Sequence, residues 1–257
     1  MICIFVALAL LLGWILYRFQ FWRPAKRGLV AIMYHHIGYA PQSDQQYAFT
    51  ITPERFKEQL DLLGKHGFTS LLPRDILAAK QANTPLPEKP VILTFDDGTL
   101  DTFQTLFPIL QERRVKALVF LITDFIGTRP DYMTWDQVRQ MQQSGLVEFG
   151  SHTCSHARLR KISDEEIKRE LFRSKQVIEE KLATNCTSFC YPFGSGGLDK
   201  RVRPLVFQTG YQFDFSTKQG INPWPWTGKK TLLRVFPRGG ETLTDFYIQI
   251  TRGKSKF

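Results

Sequence analysis

Two short stretches of this chain carry side chains that can do hydrolytic chemistry together. Val91-Ile92-Leu93-Thr94-Phe95-Asp96-Asp97-Gly98 is an apolar, β-branched run that ends in two carboxylates and a glycine. Further along comes Ser151-His152-Thr153-Cys154-Ser155-His156. Neighbouring residues at a strand end point in different directions. One carboxylate can therefore bind a metal while the other reaches a water molecule. His152 and His156 are spaced i,i+4, which on a helical turn puts both imidazoles on one face. Two imidazoles and a carboxylate leave a divalent ion with open positions for water and substrate. The chemistry implied is metal-assisted hydrolysis. Asp-Asp-Gly is also ordinary turn material, and a pair of histidines can be surface residues or caps. Of the 5 histidines, however, His35, His36, His152 and His156 form two clusters at expected strand ends.

Alternating elements must position these residues. Leu29 to Tyr34 reads as a buried first strand ending at His35-His36. Thr52-Pro53 begins a helix as N-cap and first helical residue. Phe68 to Leu71, Val91 to Phe95, Lys116 to Ile122, Val147 to Phe149, Ser188 to Tyr191, Phe213 to Phe215 and Leu232 to Val235 read as further strands. Between them, Pro73 to Ala82, Leu100 to Gln111, Trp135 to Ser144, Asp199 to Gln208 and Thr244 to Thr251 read as helices. Ser163 opens a long amphipathic helix with a capping-box pattern. Strands alternating with helices imply a parallel sheet with right-handed crossovers, a barrel or a doubly wound sheet. In such folds the chemistry lies at strand C-terminal ends. His35, Asp96, Asp97, His152 and Tyr191 all fall there.

The 257 residues suffice for one large domain, with 43% hydrophobic content for a core. The net charge of +10 points to anionic neighbours, a phospholipid surface or phosphorylated glycans. No recognition motif for nucleic acid accompanies it. The 4 cysteines make no disulfide framework, and only Cys186 and Cys190 could pair. Ile2 to Tyr17 is uncharged and close to the roughly 20 residues that span a bilayer. Trp14, Tyr17 and Trp22 suit an interfacial belt, and Arg18, Arg23, Lys26 and Arg27 follow the apolar run. The reading is a transmembrane anchor over 1–22, a basic linker over 23–28 and a catalytic domain over 29–257. The positive-inside rule then gives a single-pass inner-membrane protein with its catalytic domain in the cytoplasm.

Thr94-Phe95-Asp96-Asp97-Gly98 and Ser151-His152-Thr153-Cys154-Ser155-His156 resemble the first two motifs of the polysaccharide deacetylase family. This is the chitin-oligosaccharide-deacetylase-like family, carbohydrate esterase family four. The resemblance implies a distorted (β/α) barrel with a metal site at its top. It implies removal of acetyl groups from N-acetylhexosamines, with zinc or another divalent ion. It makes Asp96 the general base and Asp97, His152 and His156 the metal ligands. Tyr191-Pro192-Phe193-Gly194 resembles the third motif, so that the Phe193 N–H would help hold the oxyanion. The arginine that often stands two residues before the proline, orienting the base, is here Cys190. The base must then be oriented or tuned by another group. The last motif usually supplies a histidine as acid, and Leu232-Leu233-Arg234-Val235 has none. Tyr34-His35-His36 is similar to the N-terminal segment of the exopolysaccharide-deacetylase branch, where the acid comes from the first strand. That makes His35 the acid, with His36 second. Tyr191, Pro192 and His36 are expected to contact substrate.

The expected substrate is an N-acetylhexosamine of a bacterial surface glycan or its lipid-linked precursor, for example lipopolysaccharide core. Alternatives are an outward-facing exopolysaccharide or peptidoglycan deacetylase, a lipid-linked amino-sugar deformylase, or a glycan-binding domain that has lost turnover. Trp135, Trp224 and Trp226 could stack on sugar rings or pack in the core.

Overall fold

The apolar runs become the strands of one parallel sheet. The computed structural model describes residues 2–19, 24–228 and 230–254. The strands are β1 (Val30–Tyr34), β2 (His36–Ile37), β3 (Thr50–Ile51), β4 (Thr69–Ser70), β5 (Pro90–Phe95), β6 (Ala117–Leu121), β7 (Val147–Ser151), β8 (Ser188–Cys190), β9 (Phe213–Phe215) and β10 (Arg234–Val235). The helices are α1 (Ile2–Phe19), α2 (Pro53–Lys65), α3 (Pro73–Ala82), α4 (Phe107–Arg113), α5 (Trp135–Gln143), α6 (Asp164–Leu182), α7 (Val202–Gln208) and α8 (Leu243–Arg252). The sheet runs β10-β1-β5-β6-β7-β8-β9, with β4 also on β5, while β2 and β3 pair separately. Phe215 bridges Leu232 in parallel, which brings β9 against the approach to β10. The result is a nearly closed (β/α) barrel, one of the two arrangements that the alternation left open and the one that the family resemblance implied.

Strand residues sort by parity. Val30, Ile32 and Tyr34 join Val91, Leu93 and Phe95 in one cluster beneath the helices. Leu29, Ala31, Ile92, Leu118 and Phe120 form a second cluster. Thr94, Asp96 and Arg234 share this second parity, on the inner side of the strands, and all are buried.

Helix starts follow their caps. Thr52 Oγ1 accepts from the Arg55 N–H at 3.2 Å, with Pro53 at the first helical position. Ser163 and Glu166 form a capping box on α6. Helix α7 begins later than expected because the Asp199 carboxylate accepts from the Arg201 and Val202 N–H groups and so stands before the helix. The helix expected from Leu100 is a π-turn over Thr102–Leu106 leading into α4. Pro108 has no N–H for an α-helical bond, so the ladder opens into a wider turn before it.

The membrane anchor is not supported. No helix among the described residues is long and apolar enough to cross a membrane. Over its 18 described residues, α1 spans about 27 Å at 1.5 Å per residue, less than a hydrocarbon core of about 30 Å. The single-pass inner-membrane placement and the cytoplasmic orientation fall with it, and the expected membrane-lipid contact through that helix loses its support. Trp22 and Arg23 lie outside the described residues. Cys154, Cys186 and Cys190 are free and buried.

Candidate active site

Strand β5 ends by placing two consecutive aspartates in different surroundings. Asp96 points inward and is 2% exposed. Its carboxylate receives Arg234 Nη1 on Oδ1 at 2.7 Å and Nη2 on Oδ2 at 2.8 Å. Arg234 itself is fully buried on β10 and also donates to the Ser216 carbonyl and to Thr94 Oγ1. Burial alone would raise the Asp96 pKa, but the Arg234 charge and its paired hydrogen bonds outweigh that and hold it well below the usual carboxylate range. The Cys190 thiol lies 3.7 Å from both carboxylate oxygens. The arginine missing before the proline is thus replaced from a different strand. Its sequence signal was a charged residue in an otherwise apolar strand, in a stretch noted only for lacking histidine.

Asp97 turns the other way through a left-handed backbone, φ 76°, and Gly98 follows at φ 78°. A Cβ on Gly98 would meet Leu121 Cδ2 at 2.7 Å, so both the turn and the space require glycine. Asp97 Oδ1 is buried and has no hydrogen-bond partner. It lies 3.5 Å from His152 Nε2 and 3.5 Å from His156 Nε2. In a tetrahedral site with bonds of about 2.0–2.1 Å, neighbouring ligand atoms are about 3.3–3.4 Å apart. The three donors therefore fit a divalent ion. His152 donates Nδ1–H to the Cys190 carbonyl at 2.8 Å, which leaves its Nε2 lone pair for a metal. Burial pushes the His152 pKa down to about 3 and lowers that of His156, so both rings are neutral ligands at ordinary pH. Burial and the Asp96 charge raise Asp97 to about 7. Asp96, His152 and Cys190 form a second candidate group, but Asp96 is already paired with Arg234. Burial also holds the Cys190 thiol well above its ordinary pKa.

His152 and His156 do not share a helical turn as the spacing suggested. They lie on the loop after β7, and the chain brings them together through positive φ at Thr153 (68°) and His156 (63°). Phe193, at φ 56°, is another non-glycine residue in this region. Such outliers cost about 1–3 kcal/mol each and concentrate at functional sites.

One cleft of about 790 Å³ gathers His35, His36, Asp96, Asp97, His152, His156 and Phe193. His35 Nε2 is 3.9 Å from Asp96 Oδ2. Burial lowers its pKa to about 4, and its Nδ1 is buried without a partner. His36 instead bonds Asp101 at 3.3 Å, which raises its pKa. The Gly194 and Ser195 amides are taken by the Tyr191 and Pro192 carbonyls. Among the described residues no hydrogen bond uses the Phe193 N–H. Tyr191 and Pro192 are not at the cleft wall. Both are buried, and the Tyr191 hydroxyl donates to Asp214 at 3.0 Å. The tryptophans are packing residues: Trp226 stacks on Phe213, Trp224 donates to the Pro87 carbonyl, and Trp135 lies against the main core. The aromatic cleft walls are Phe49, Tyr132, Phe193 and Phe236.

Comparison with known proteins bears on this cleft. A polysaccharide deacetylase family model matches residues 83–213, half of the chain. A Bacillus subtilis protein described as a polysaccharide deacetylase, YxkH, is 27% identical over 198 residues, 77% of this chain and 67% of that one. A poly-β-1,6-N-acetyl-D-glucosamine N-deacetylase of Escherichia coli K12 is 25% identical over 237 residues. That match covers 76% of this chain and 34% of the relative, so this chain spans about a third of its length. In fold, the chain is similar to the Streptococcus pyogenes deacetylase PplD, solved with acetate, at TM-score 0.77 and 24% identity over 88% of this chain and 99% of that one. A polysaccharide deacetylase from Bacillus cereus gives TM-score 0.75 at 24% identity, covering 88% and 70%. With its TFDDG strand end and its histidine loop inside the matched stretch, this chain belongs to the polysaccharide deacetylase family, hydrolases that remove N-acetyl groups from carbohydrates.

Proposed function

We propose that residues 29–257 form a metal-dependent N-deacetylase acting on a polymer of N-acetylglucosamine, as the names of its exopolysaccharide relatives suggest. The observation that carries this reading is Asp97 Oδ1 standing 3.5 Å from two imidazole nitrogens, next to a second carboxylate that is already neutralised by Arg234. Asp97, His152 and His156 would hold the ion, and an Asp-His-His set suits zinc. When bound, a divalent ion supplies Lewis acidity, drawing charge from an acetyl carbonyl and lowering the pKa of a water to about 7. Asp96 is ionised at every working pH, and it accepts the water proton as general base. The Phe193 N–H, which no hydrogen bond uses among the described residues, would donate to the developing oxyanion. His35, held neutral beside Asp96, takes up the proton after attack and delivers it to the leaving amine. His36, oriented by Asp101, which also raises its pKa, offers a donor to the sugar. The lipid-linked precursor depended on a membrane anchor, and nothing in the cleft favours it.

The assay is the appearance of free amines on β-1,6-linked N-acetylglucosamine oligomers incubated with zinc-loaded protein. An unchanged oligomer after exhaustive incubation would sink the reading. Within it, His35→Ala is expected to lower kcat roughly 10²–10⁴-fold, the range of a general acid–base residue, while His36→Ala chiefly raises KM. Steady-state kinetics on the two variants separate these roles, and the opposite pattern would move the acid to His36. Metal binding should also release protons. Below pH 7 Asp97 is mostly protonated, so a metal must displace that proton, and affinity falls as the solution is acidified. Calorimetry in buffers of different ionisation heat should count about one proton released at pH 6, where Asp97 supplies it, and still about one at pH 8, where it comes instead from the metal-bound water of pKa about 7; no proton release at pH 6 would contradict Asp97 as a ligand.

A further inference from the structure

Resting on the deacetylase reading, we propose that the cavity beside the catalytic cleft is a subsite for an anionic substituent, a carboxylate or phosphate, on a sugar flanking the one deacetylated. The cavity measures about 610 Å³ and lies between the start of α7 and the segments 218–223 and 230–233. Its wall towards the cleft is one chain segment thick. Thr217 and Gln219 line the cleft, while Lys218 between them lines the cavity. The two spaces are also joined along the rim. A smaller hollow runs from Gly194, next to the cleft residue Phe193, to Leu198 and Lys200, which belong to the cavity as well. A polymer held by the acetamide in the cleft can therefore continue along this rim.

The charges in the cavity do not cancel. Asp199 is held by Arg160 at 3.2 Å and caps α7. The carboxylate of Asp214, behind the wall, is taken by Arg203 and Thr231. Lys200, Lys218 and Lys230 are exposed, and none of them enters an ion pair among the described residues. Leu198, Pro204, Phe207 and Leu233 give the same cavity an apolar floor, suited to the CH face of a sugar ring. Three ammonium groups over such a floor select an anionic sugar. They also repel a neighbouring glucosaminium, the product of an earlier turnover. The site thus favours isolated deacetylation next to acidic residues over runs of consecutive free amines.

The test uses matched β-1,6-linked N-acetylglucosamine oligomers carrying either O-carboxymethyl groups or their neutral methyl esters. Wild-type protein should turn over the acidic oligomer with kcat/KM roughly tenfold above the ester at low salt, the scale of three exposed ion pairs. The advantage should vanish in Lys200→Gln/Lys218→Gln/Lys230→Gln and at about 0.5 M salt, and persist when the three lysines become arginines. Activity on the ester should not change. An equal kcat/KM for both oligomers in wild type, or a preference that survives the glutamine triple variant, overturns the proposal. Inorganic phosphate titrated by calorimetry separates a free-anion site. Lysine-dependent phosphate binding without an oligomer preference also overturns it. If no oligomer is deacetylated, the functional reading has failed, and calorimetric binding of acid against ester still decides the subsite.

Discussion

Replacing Arg234 with methionine is expected to destabilise the protein by about 3–5 kcal/mol, because it leaves the buried Asp96 carboxylate without its cation. The two hydrogen bonds from Arg234, at 2.7 and 2.8 Å, and the full burial of the guanidinium set that magnitude. The pH dependence should change sign with it. In the wild-type protein the Asp96 pKa is depressed, so the pair contributes stability above the unfolded carboxylate value near 4. That contribution is lost as pH falls through the folded value. Without Arg234, burial is the largest remaining influence and raises the pKa. The carboxylate then favours the folded state at acid pH, and that stability is lost as pH rises. Melting temperatures of wild type and Arg234→Met, followed from pH 4 to 8, should therefore diverge towards the alkaline end. Parallel curves would mean that the ion pair adds no net stability. Replacing both residues by Asp96→Leu/Arg234→Met should recover much of the loss, since apolar pairs often match a buried ion pair. Activity should not return.

Asp96→Asn is expected to reduce acetate release by at least the 10²–10⁴-fold of a general base while the protein still binds one divalent ion. The amide removes the proton acceptor, but Asp97, His152 and His156 keep their atoms. This variant also leaves a buried guanidinium facing a neutral partner, so a lower melting temperature should accompany the loss of turnover. Metal content and turnover must be measured on the same folded sample. Loss of the metal together with activity would assign Asp96 to the ligand set instead.

Much of the barrel was legible because β1, β5 and β6 are nearly unbroken apolar runs, and the chain after β1 and β5 carries the chemistry. Asp96, Asp97 and His152 leave strand ends that the sequence marks by an abrupt change to polar residues. Capping was equally local: Thr52-Pro53 and Ser163 with Glu166 name their helix starts. What escaped was non-local or conformational. Pairing of Arg234 with Asp96 depends on β10 and β5 flanking β1, a sheet order that no spacing along the chain encodes. The loop from His152 to His156 is decided by left-handed residues that are not glycine, and the i,i+4 spacing imitated a helical turn. Tyr191 belongs to a strand end yet faces Asp214, because alternation along β8 sends it away from the cleft. Composition misled at the N-terminus, where an apolar run matched a membrane span but the described helix falls short of one. The finding of Arg234 also weakens the reading of a glycan-binding domain without turnover, since the base has a partner after all.

The most direct measurement is the rate of acetate release plotted against zinc added to metal-stripped protein, on a β-1,6-linked N-acetylglucosamine oligomer. The rate is expected to rise in proportion to zinc and to stop rising at one equivalent per chain. It should stay at background throughout in His152→Ala/His156→Ala. Full activity in the stripped protein, or an undiminished rate in that double variant, would contradict a metal-assisted hydrolysis centred on Asp97, His152 and His156.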